Sequence, residues 1–176
     1  MPNAASLKRL LPRRLQRRAM KGVAAVEFAL VLVPLLLIAF GSVEYGRAVY
    51  QYNTLVKAVR GAVRILSAVS PDDPGYATRV SQAKCLAVYG NEGCTGSPLA
   101  PSLGVADIKV CDRNSWGECT GTTQADFKDV PTGEGPIQLV MVRISGYEFA
   151  FLGLPLVIPS ATVTFSDIQA VMRQLL

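Results

Sequence analysis

The chain is organised around one apolar stretch, VAAVEFALVLVPLLLIAF, at residues 23–40. Sixteen of these 18 residues are apolar, and the exceptions are Glu27 and Pro34. As a helix, the stretch rises about 27 Å, close to the roughly 30 Å hydrocarbon core of a bilayer. No charged residue occurs between Phe28 and Val43. We therefore expect residues 23–43 to form a transmembrane helix.

Residues 1–22 precede this stretch and carry seven positive charges and no acidic residue. The whole chain has 18 basic and 13 acidic residues, which leaves 11 positive and 13 negative charges after residue 22. The positive-inside rule predicts a cytoplasmic leader, with the rest of the chain beyond the membrane. The basic character of the chain belongs to this leader, so it does not indicate nucleic-acid binding by the folded body.

Two other kinds of N-terminal segment have a basic, acid-poor start. A cleaved secretory signal has a shorter apolar region that ends in small residues at a cleavage site, and no such A-x-A motif ends this run cleanly. A mitochondrial transit peptide would not be followed directly by a spanning segment. A membrane anchor is therefore the favoured interpretation.

Glu27 and Pro34 interrupt the apolar pattern. A carboxylate inside a membrane is costly and suggests a function, although a Glu near a helix N-terminus can also reach headgroup water. Pro34 removes one backbone hydrogen bond and is expected to kink the helix, although membrane helices also tolerate proline without a special role.

The residues at the start of the apolar run resemble the class III signal of type IV pilin-like precursors. A basic leader ends at Gly22, four apolar residues follow, and then come Glu27 and Phe28. The stretch GVAAVEFALVLVP from Gly22 is most similar to TadE-like minor pilins of the Tad (tight adherence, Flp) pilus. Two later segments, EYGR at 44–47 and VRISGYEF at 142–149, resemble the same family.

This resemblance implies a mechanism. A prepilin peptidase would cleave after Gly22, so that the mature chain begins at Val23. Glu27 and Phe28 would serve peptidase recognition and assembly, with Glu27 meeting the new terminal amine of a neighbouring subunit. The implied protein is a non-enzymatic minor pilin or pseudopilin, single-pass in the bacterial inner membrane with a periplasmic C-terminal domain. It would act with other pilin-like subunits and the pilus assembly machinery in assembling or priming a Tad-type pilus or secretion apparatus.

The resemblance leaves one main alternative open. The chain could be an uncleaved, single-pass membrane-anchored periplasmic domain that binds a ligand or serves as a scaffold. Cleavage after Gly22 discriminates between the two interpretations.

Residues 44–69 continue the helix in an amphipathic form. Apolar residues alternate at intervals of four and three, as in a heptad pattern: Tyr45, Val49, Tyr52, Val56, Val59, Val63 and Leu66. Pro71 and Pro74 end the helix. The stripe is expected to pack on the C-terminal sheet of the same chain, and packing on other subunits is the alternative.

Residues 70–176 form the extracytoplasmic domain. The patterns predict a second helix and three strands, at Tyr76–Tyr89, Val105–Cys111, Ile137–Ser145 and Ser160–Phe165. Residues 112–136 read as a long loop. We expect Trp116 to pin this loop, and an exposed contact surface at Trp116 is the alternative. The predicted class is α+β and type IV pilin-like, with the long N-terminal helix packed on a small antiparallel sheet.

The four cysteines are Cys85, Cys94, Cys111 and Cys119. An even number in a domain beyond the membrane favours disulfides. We expect the local pairs Cys85–Cys94 and Cys111–Cys119, since each pair brackets a short glycine-containing loop; nested pairs and free thiols are the alternatives.

The sequence gives no positive sign of catalysis. It lacks histidine, which excludes Ser-His-Asp triads and His-ligated metal sites. The acids that a membrane-anchored enzyme could use form no recognisable motif: Asp72, Asp73, Asp107, Asp112, Asp126 and Glu134. We therefore expect a non-enzymatic protein without a metal or cofactor.

Overall fold

The computed structural model describes residues 13–152 and 162–175, with residues 13–21 as helical backbone. Helix α1 spans Arg13–Ser67 and includes Pro34. The chain divides into two compact units, Met1–Tyr45 and Gly46–Leu176, and α1 contributes to both. The helix ends two residues before the predicted boundary, where the N–H of Val69 donates to the carbonyl of Leu66 in a turn.

In the first unit, the apolar part of α1 has its side chains exposed on all sides. From Gly22 to Val43 every residue except the half-buried Leu32 is exposed. By length and composition, the helix segment Gly22–Ser67 is able to cross a membrane. A helix that is apolar all round requires lipid or other helices around it.

Among its described residues, the second unit contains one further α-helix and six strands. Helix α2 spans Tyr76–Tyr89, as predicted, and Gly90 ends it in the left-handed conformation with its N–H donating to the carbonyl of Leu86. The strands are β1 (Ile108–Cys111), β2 (Val130–Thr132), β3 (Gly135–Ile144), β4 (Glu148–Ala150), β5 (Thr162–Thr164) and β6 (Ile168–Gln174).

Strand β3 is the centre of a four-stranded antiparallel sheet. Both β1 and β6 pair with β3 at residues 141–144, so they lie on opposite edges of it; the pairing with β6 extends back to Gln138, whereas β2 pairs with the beginning of β3. Strands β4 and β5 form a separate antiparallel pair in which Phe149 faces Val163. The predicted α+β class, with a long helix on a small antiparallel sheet, is confirmed.

One face of the sheet packs against the two helices. Val140, Val142 and Ile144 of β3 enter a core with side chains of α1 and α2. The α1 members of this core are Leu55, Val59, Ala62, Val63 and Leu66. Packing of the amphipathic part of α1 on its own sheet is therefore confirmed, and this burial is the main source of stability for the unit.

The predicted heptad stripe is only partly correct. Val59, Val63 and Leu66 are buried, but Tyr45 and Val49 are exposed. The column Leu55, Ala58 and Ala62 is buried instead. The reason is that α2 lies along a flank of α1, where a Cβ atom added at Gly61 would be 3.4 Å from Leu86. The buried face of α1 is therefore wider than a heptad seam and rotated towards α2.

The segment 112–134, here called the covering segment, crosses the other face of the sheet and then joins the sheet as β2. Its Phe127 is buried with Met141 of β3 and the Cys111–Cys119 disulfide. It contains a 3₁₀ turn at Gln124–Asp126 and strand β2, so the prediction of a plain loop over 112–136 is wrong. Phe127 fills the position expected of Trp116, whose side chain is 36% exposed.

Three further differences concern the strands. Residues Val105–Asp107 form a 3₁₀ turn, because the Asp107 carboxylate accepts the Gly104 N–H at 2.8 Å, and the strand begins only at Ile108. Strands β4 and β6 were not predicted. The third predicted strand corresponds to β5; its residues 160 and 161 lie outside the described residues.

Candidate assembly segment and its support

The predicted cleavage point lies within α1. Gly22 and Val23 are both exposed, and a Cβ atom at Gly22 would meet no atom within 4 Å. The local space therefore does not require glycine at this position. Its small size matters instead for close approach of another molecule to the backbone. Because helical peptide groups are engaged in hydrogen bonds, a peptidase would have to unwind this turn to reach the bond after Gly22.

Glu27 and Phe28 follow on the same exposed helix. Phe28 is 65% exposed, and Glu27 is exposed among apolar neighbours. A carboxylate among apolar side chains is stabilised when a cation reaches it. The segment therefore has the composition of a surface that joins with other helices or with lipid.

Pro34 is accommodated inside the helix, which continues on both sides of it. Two shallow apolar grooves meet at its ring: Ala25, Ala29 and Val33 line one, and Val31 and Ile38 line the other. The predicted kink at Pro34 stays a prediction.

Arg47 lies near the start of the part of α1 that belongs to the second unit, and it connects this helix to strand β4. The guanidinium carbon of Arg47 lies 4.7 Å from the centroid of the Phe149 ring, and its Nη2 donates to the carbonyl of Ala150. Arg47 and Phe149 come from the segments 44–47 and 142–149 of the sequence. The fold thus brings together the two segments in which the family resemblance was noted.

Tyr147, the residue before β4, makes a second link between this part of the chain and α1. Its hydroxyl lies 3.2 Å from Oε1 of Gln51 and 3.1 Å from the carbonyl of Pro101. Burial raises the pKa of the Tyr147 hydroxyl above its ordinary value of 10.0, and the nearby Arg47 charge opposes this shift. The hydroxyl stays protonated at neutral pH and holds α1 to the end of the sheet.

Phe165 completes this contact by packing against several aromatic rings. Its ring centroid lies 5.6 Å from those of both Tyr52 and Tyr147, and 6.1 Å from that of Phe149. Phe151 makes an edge contact with Phe149 at 5.1 Å. These offset and edge contacts are favourable arrangements for aromatic pairs. They tie the β4–β5 pair to α1, which a local reading of the sequence could not reveal.

A buried polar network lies where the chain passes from α1 to α2. The Tyr76 hydroxyl donates to Oδ2 of Asp112 at 2.6 Å. Nε2 of Gln174 lies 3.2 Å from the same hydroxyl and donates to the Val69 carbonyl at 3.1 Å. Burial, followed by the Asp112 hydrogen bond and charge, raises the pKa of Tyr76. The network joins α1, α2, β1 and β6 at one point.

Among the acids considered for catalysis, Asp72, Asp112 and Asp126 have structural partners. Asp112 accepts the N–H groups of Asn114 and Ser115, and Asp72 forms an ion pair of 2.6 Å with Arg113. The Thr123 N–H, followed by its hydroxyl, holds the pKa of the Asp126 carboxyl below its ordinary value. Among the residues that the structure describes, no group of three or more His, Cys, Asp or Glu side chains could hold a metal ion.

The cysteines form the two predicted local disulfides, Cys85–Cys94 and Cys111–Cys119. The first ties the end of α2 to the loop after it. The second ties the end of β1 to the covering segment. Both cysteines of the second bridge are buried, whereas Cys94 of the first is exposed.

Comparison with known proteins identifies the N-terminal helix. A family model described as "TadE-like protein" matches residues 22–64. The match begins at Gly22, includes Glu27 and Arg47, and covers about a quarter of the chain. The resemblance to TadE-like proteins is thereby confirmed for this segment. No curated protein and no solved structure matches the chain.

Proposed function

Because residues 22–64 match the family model of TadE-like proteins, we propose that the chain is a minor pilin or pseudopilin that a prepilin peptidase cleaves after Gly22. The observation that carries the proposal is the position of Gly22 and Glu27 at the head of an exposed apolar helix inside the matched segment. Its role is structural, in assembling or priming a Tad-type pilus or secretion apparatus.

The topology follows from the charges and the disulfides. The seven positive charges of residues 1–22 favour a cytoplasmic leader. Two disulfides in the second unit favour an oxidising compartment for it, which in a bacterium is the periplasm. The inner membrane would then surround the exposed part of α1 until the subunit leaves it.

Cleavage would change the electrostatics of the helix end. Removal of residues 1–22 takes away seven positive charges, whose attraction to anionic headgroups opposes extraction. It would also create an ammonium group at Val23, which Glu27 of a neighbouring subunit would neutralise. A buried carboxylate needs such a partner. The proposal therefore assigns Gly22 a role in processing and Glu27 a role in assembly.

The test is the N-terminal sequence and intact mass of the chain from membranes, with and without the prepilin peptidase of the host. We expect a chain that begins at Val23 only when the peptidase is present. Gly22→Val should remain uncut. Gly41→Val is the matched control, since Gly41 lies in the same helix and also has nothing within 4 Å of an added Cβ. A wild-type chain that begins at Met1 in both hosts would support the uncleaved membrane-anchored domain.

A second variant tests the role of Glu27. Glu27→Gln keeps the size of the side chain and removes its charge. We expect this variant to be processed at Val23 but depleted from assembled fibres or from the assembly complex. Glu92→Gln, which changes an exposed acid of the second unit, should be retained as wild type. Equal retention of the two variants would remove the assembly role of Glu27.

A further inference from the structure

The second unit has no net charge, but its charges are separated. Residues 46–176 contain 11 basic and 11 acidic residues. The part of α1 in this unit, residues 46–67, has four basic residues and no acidic one. The remaining residues, 68–176, carry seven basic and all 11 acidic residues. The separation therefore lies between α1 and the rest of the unit.

Three of the four basic residues form one exposed strip on α1. Lys57, Arg60 and Arg64 follow one another at spacings of three and four, which places them on the same side of a helix. All three are exposed, on the side opposite the buried Leu55 and Val59. Among the described residues, no ion pair involves this basic strip.

The covering segment lies on the opposite side of the unit. Successive side chains of a strand point to opposite faces, and β3 follows this rule: Val142 packs in the core with α1, and Met141 packs with Phe127 of the covering segment. Glu118, Asp126 and Asp129 of the covering segment are exposed, and so is Glu134 in the turn between β2 and β3. Glu118 also forms an ion pair of 3.8 Å with Lys84 of α2. The segment contains two basic residues: Lys128 is exposed, and Arg113 is half-buried and paired with Asp72.

The covering segment is attached to the sheet, and this attachment limits the movement of its backbone. The Cys111–Cys119 disulfide and the buried Phe127 anchor the covering segment to the sheet. Nε2 of Gln138 donates to Oδ1 of Asp129 at 2.8 Å. The low pKa of Asp126 keeps that carboxylate ionised. The carboxylates of Asp126 and Asp129 therefore have defined positions.

We propose that the basic strip of one copy docks on the acidic covering segment of a second copy. A symmetric dimer through either face would place like charges against each other, which is unfavourable. Front-to-back contact instead pairs opposite charges, and it leaves one basic and one acidic face free at the ends. Repetition of such a heterologous contact produces an open filament. The inference deepens the proposed function, since it assigns a subunit contact to the folded unit, but it does not depend on cleavage at Gly22.

Zero-length cross-linking of the full chain tests this contact directly. A mixture of ¹⁴N- and ¹⁵N-labelled protein in detergent micelles is treated with a water-soluble carbodiimide, which joins a lysine amine to a carboxylate in contact with it. We expect mixed-isotope peptides that link Lys57 to Glu118, Asp126 or Glu134, and their loss in 0.5 M salt. Absence of mixed-isotope links from Lys57 to the covering segment would overturn the proposal.

Charge reversal gives a second, independent test. The pair Lys57→Glu and Arg64→Glu, and separately the pair Glu118→Lys and Glu134→Lys, should each weaken self-association about tenfold or more at low salt. A mixture of the two variants should associate again, because each supplies the charge that the other has lost. Failure of the mixture to associate would contradict front-to-back docking.

The matched control is Arg79→Glu, compared with Lys57→Glu alone. Arg79 is exposed on α2, outside both the basic strip and the covering segment, and the two variants change the net charge equally. We expect self-association within about twofold of wild type. An equal loss in this control would mean that net charge, not a docking surface, governs association.

Binding of the wild type to phosphatidylglycerol vesicles without mixed-isotope links would assign the basic strip to lipid headgroups and overturn the proposal. A chain that is cut at Val23 but fails these tests would leave the proposed function intact.

Discussion

The hydroxyl of Tyr76 donates a 2.6 Å hydrogen bond to Oδ2 of Asp112, which joins the first turn of α2 to the end of β1. Asp112 is 1% exposed. Its other oxygen accepts the N–H groups of Asn114 and Ser115 at 2.7 and 2.9 Å. A buried carboxylate is tolerated only when such donors replace its water. The pair therefore positions the start of the covering segment.

Replacement of Tyr76 by Phe should destabilise the second unit by about 1.5–3 kcal/mol, the range for a hydrogen bond to a charged group. The ring stays in place, and Asp112 loses one donor without access to water. Chemical denaturation followed by circular dichroism measures the effect. Tyr50→Phe, at an exposed tyrosine on α1, is the control and should change stability by less than about 0.5 kcal/mol. Equal stabilities of the two variants would mean that the Asp112 contact contributes nothing.

The stability of the unit should fall at alkaline pH because of Tyr76. Burial and Asp112 raise its pKa above the ordinary value of 10.0. The folded state then holds a proton that the unfolded state releases, so stability is complete below pH 10 and decreases above it. The slope for one such group is at most about 1.4 kcal/mol per pH unit.

Denaturation measured between pH 9 and 11.5 tests this dependence. Tyr76→Phe should flatten the alkaline decrease. Part of the slope should persist, because burial also raises the pKa of Tyr147. Tyr50→Phe should retain the full wild-type slope. An unchanged slope in Tyr76→Phe would show that other groups produce the decrease.

The two disulfides should differ in access to reductant. Cys94 is exposed, whereas Cys111 and Cys119 are buried with Phe127. Dithiothreitol should therefore reduce Cys85–Cys94 first in the folded protein, as measured by alkylation and peptide mass spectrometry. Replacement of both Cys111 and Cys119 by Ala should cost about 2–4 kcal/mol. Simultaneous reduction of both bridges under native conditions would contradict the assigned burial.

Arg47 should stabilise the β4–β5 pair. Arg47→Met keeps an apolar stem but removes the charge over Phe149 and the donor to Ala150. We expect a loss of about 1–3 kcal/mol and faster amide exchange in residues 148–150. Arg60→Met, at an exposed position of the same helix, is the control for exchange. Unchanged exchange in Arg47→Met would show that the contacts of Arg47 do not stabilise β4.

Features that depend on neighbouring residues were predicted from the sequence. A continuous helix through the apolar run, α2 with its end at Gly90, and both disulfides occur as expected, although α1 begins at Arg13, within the basic leader, and not at Val23. Each is determined over a few turns or a short loop, where helical period, a left-handed glycine and loop length limit the possible structures. The spacing of Gly22 and Glu27, which defines the candidate assembly segment, is local in the same sense.

Features that depend on distant residues became visible only in the folded chain. Strand β6 was missed, although it pairs with β3 along Ile168–Gln174, because a short strand is stabilised by its partner and not by its own composition. The contacts of Arg47 with Phe149 and of Tyr76 with Asp112 likewise join residues far apart in the chain. The sequence alone determined which segments are helical, apolar or cross-linked, since short-range geometry controls these properties. The tertiary structure decided which faces are covered and which charges remain outside, since burial depends on the packing of the whole unit.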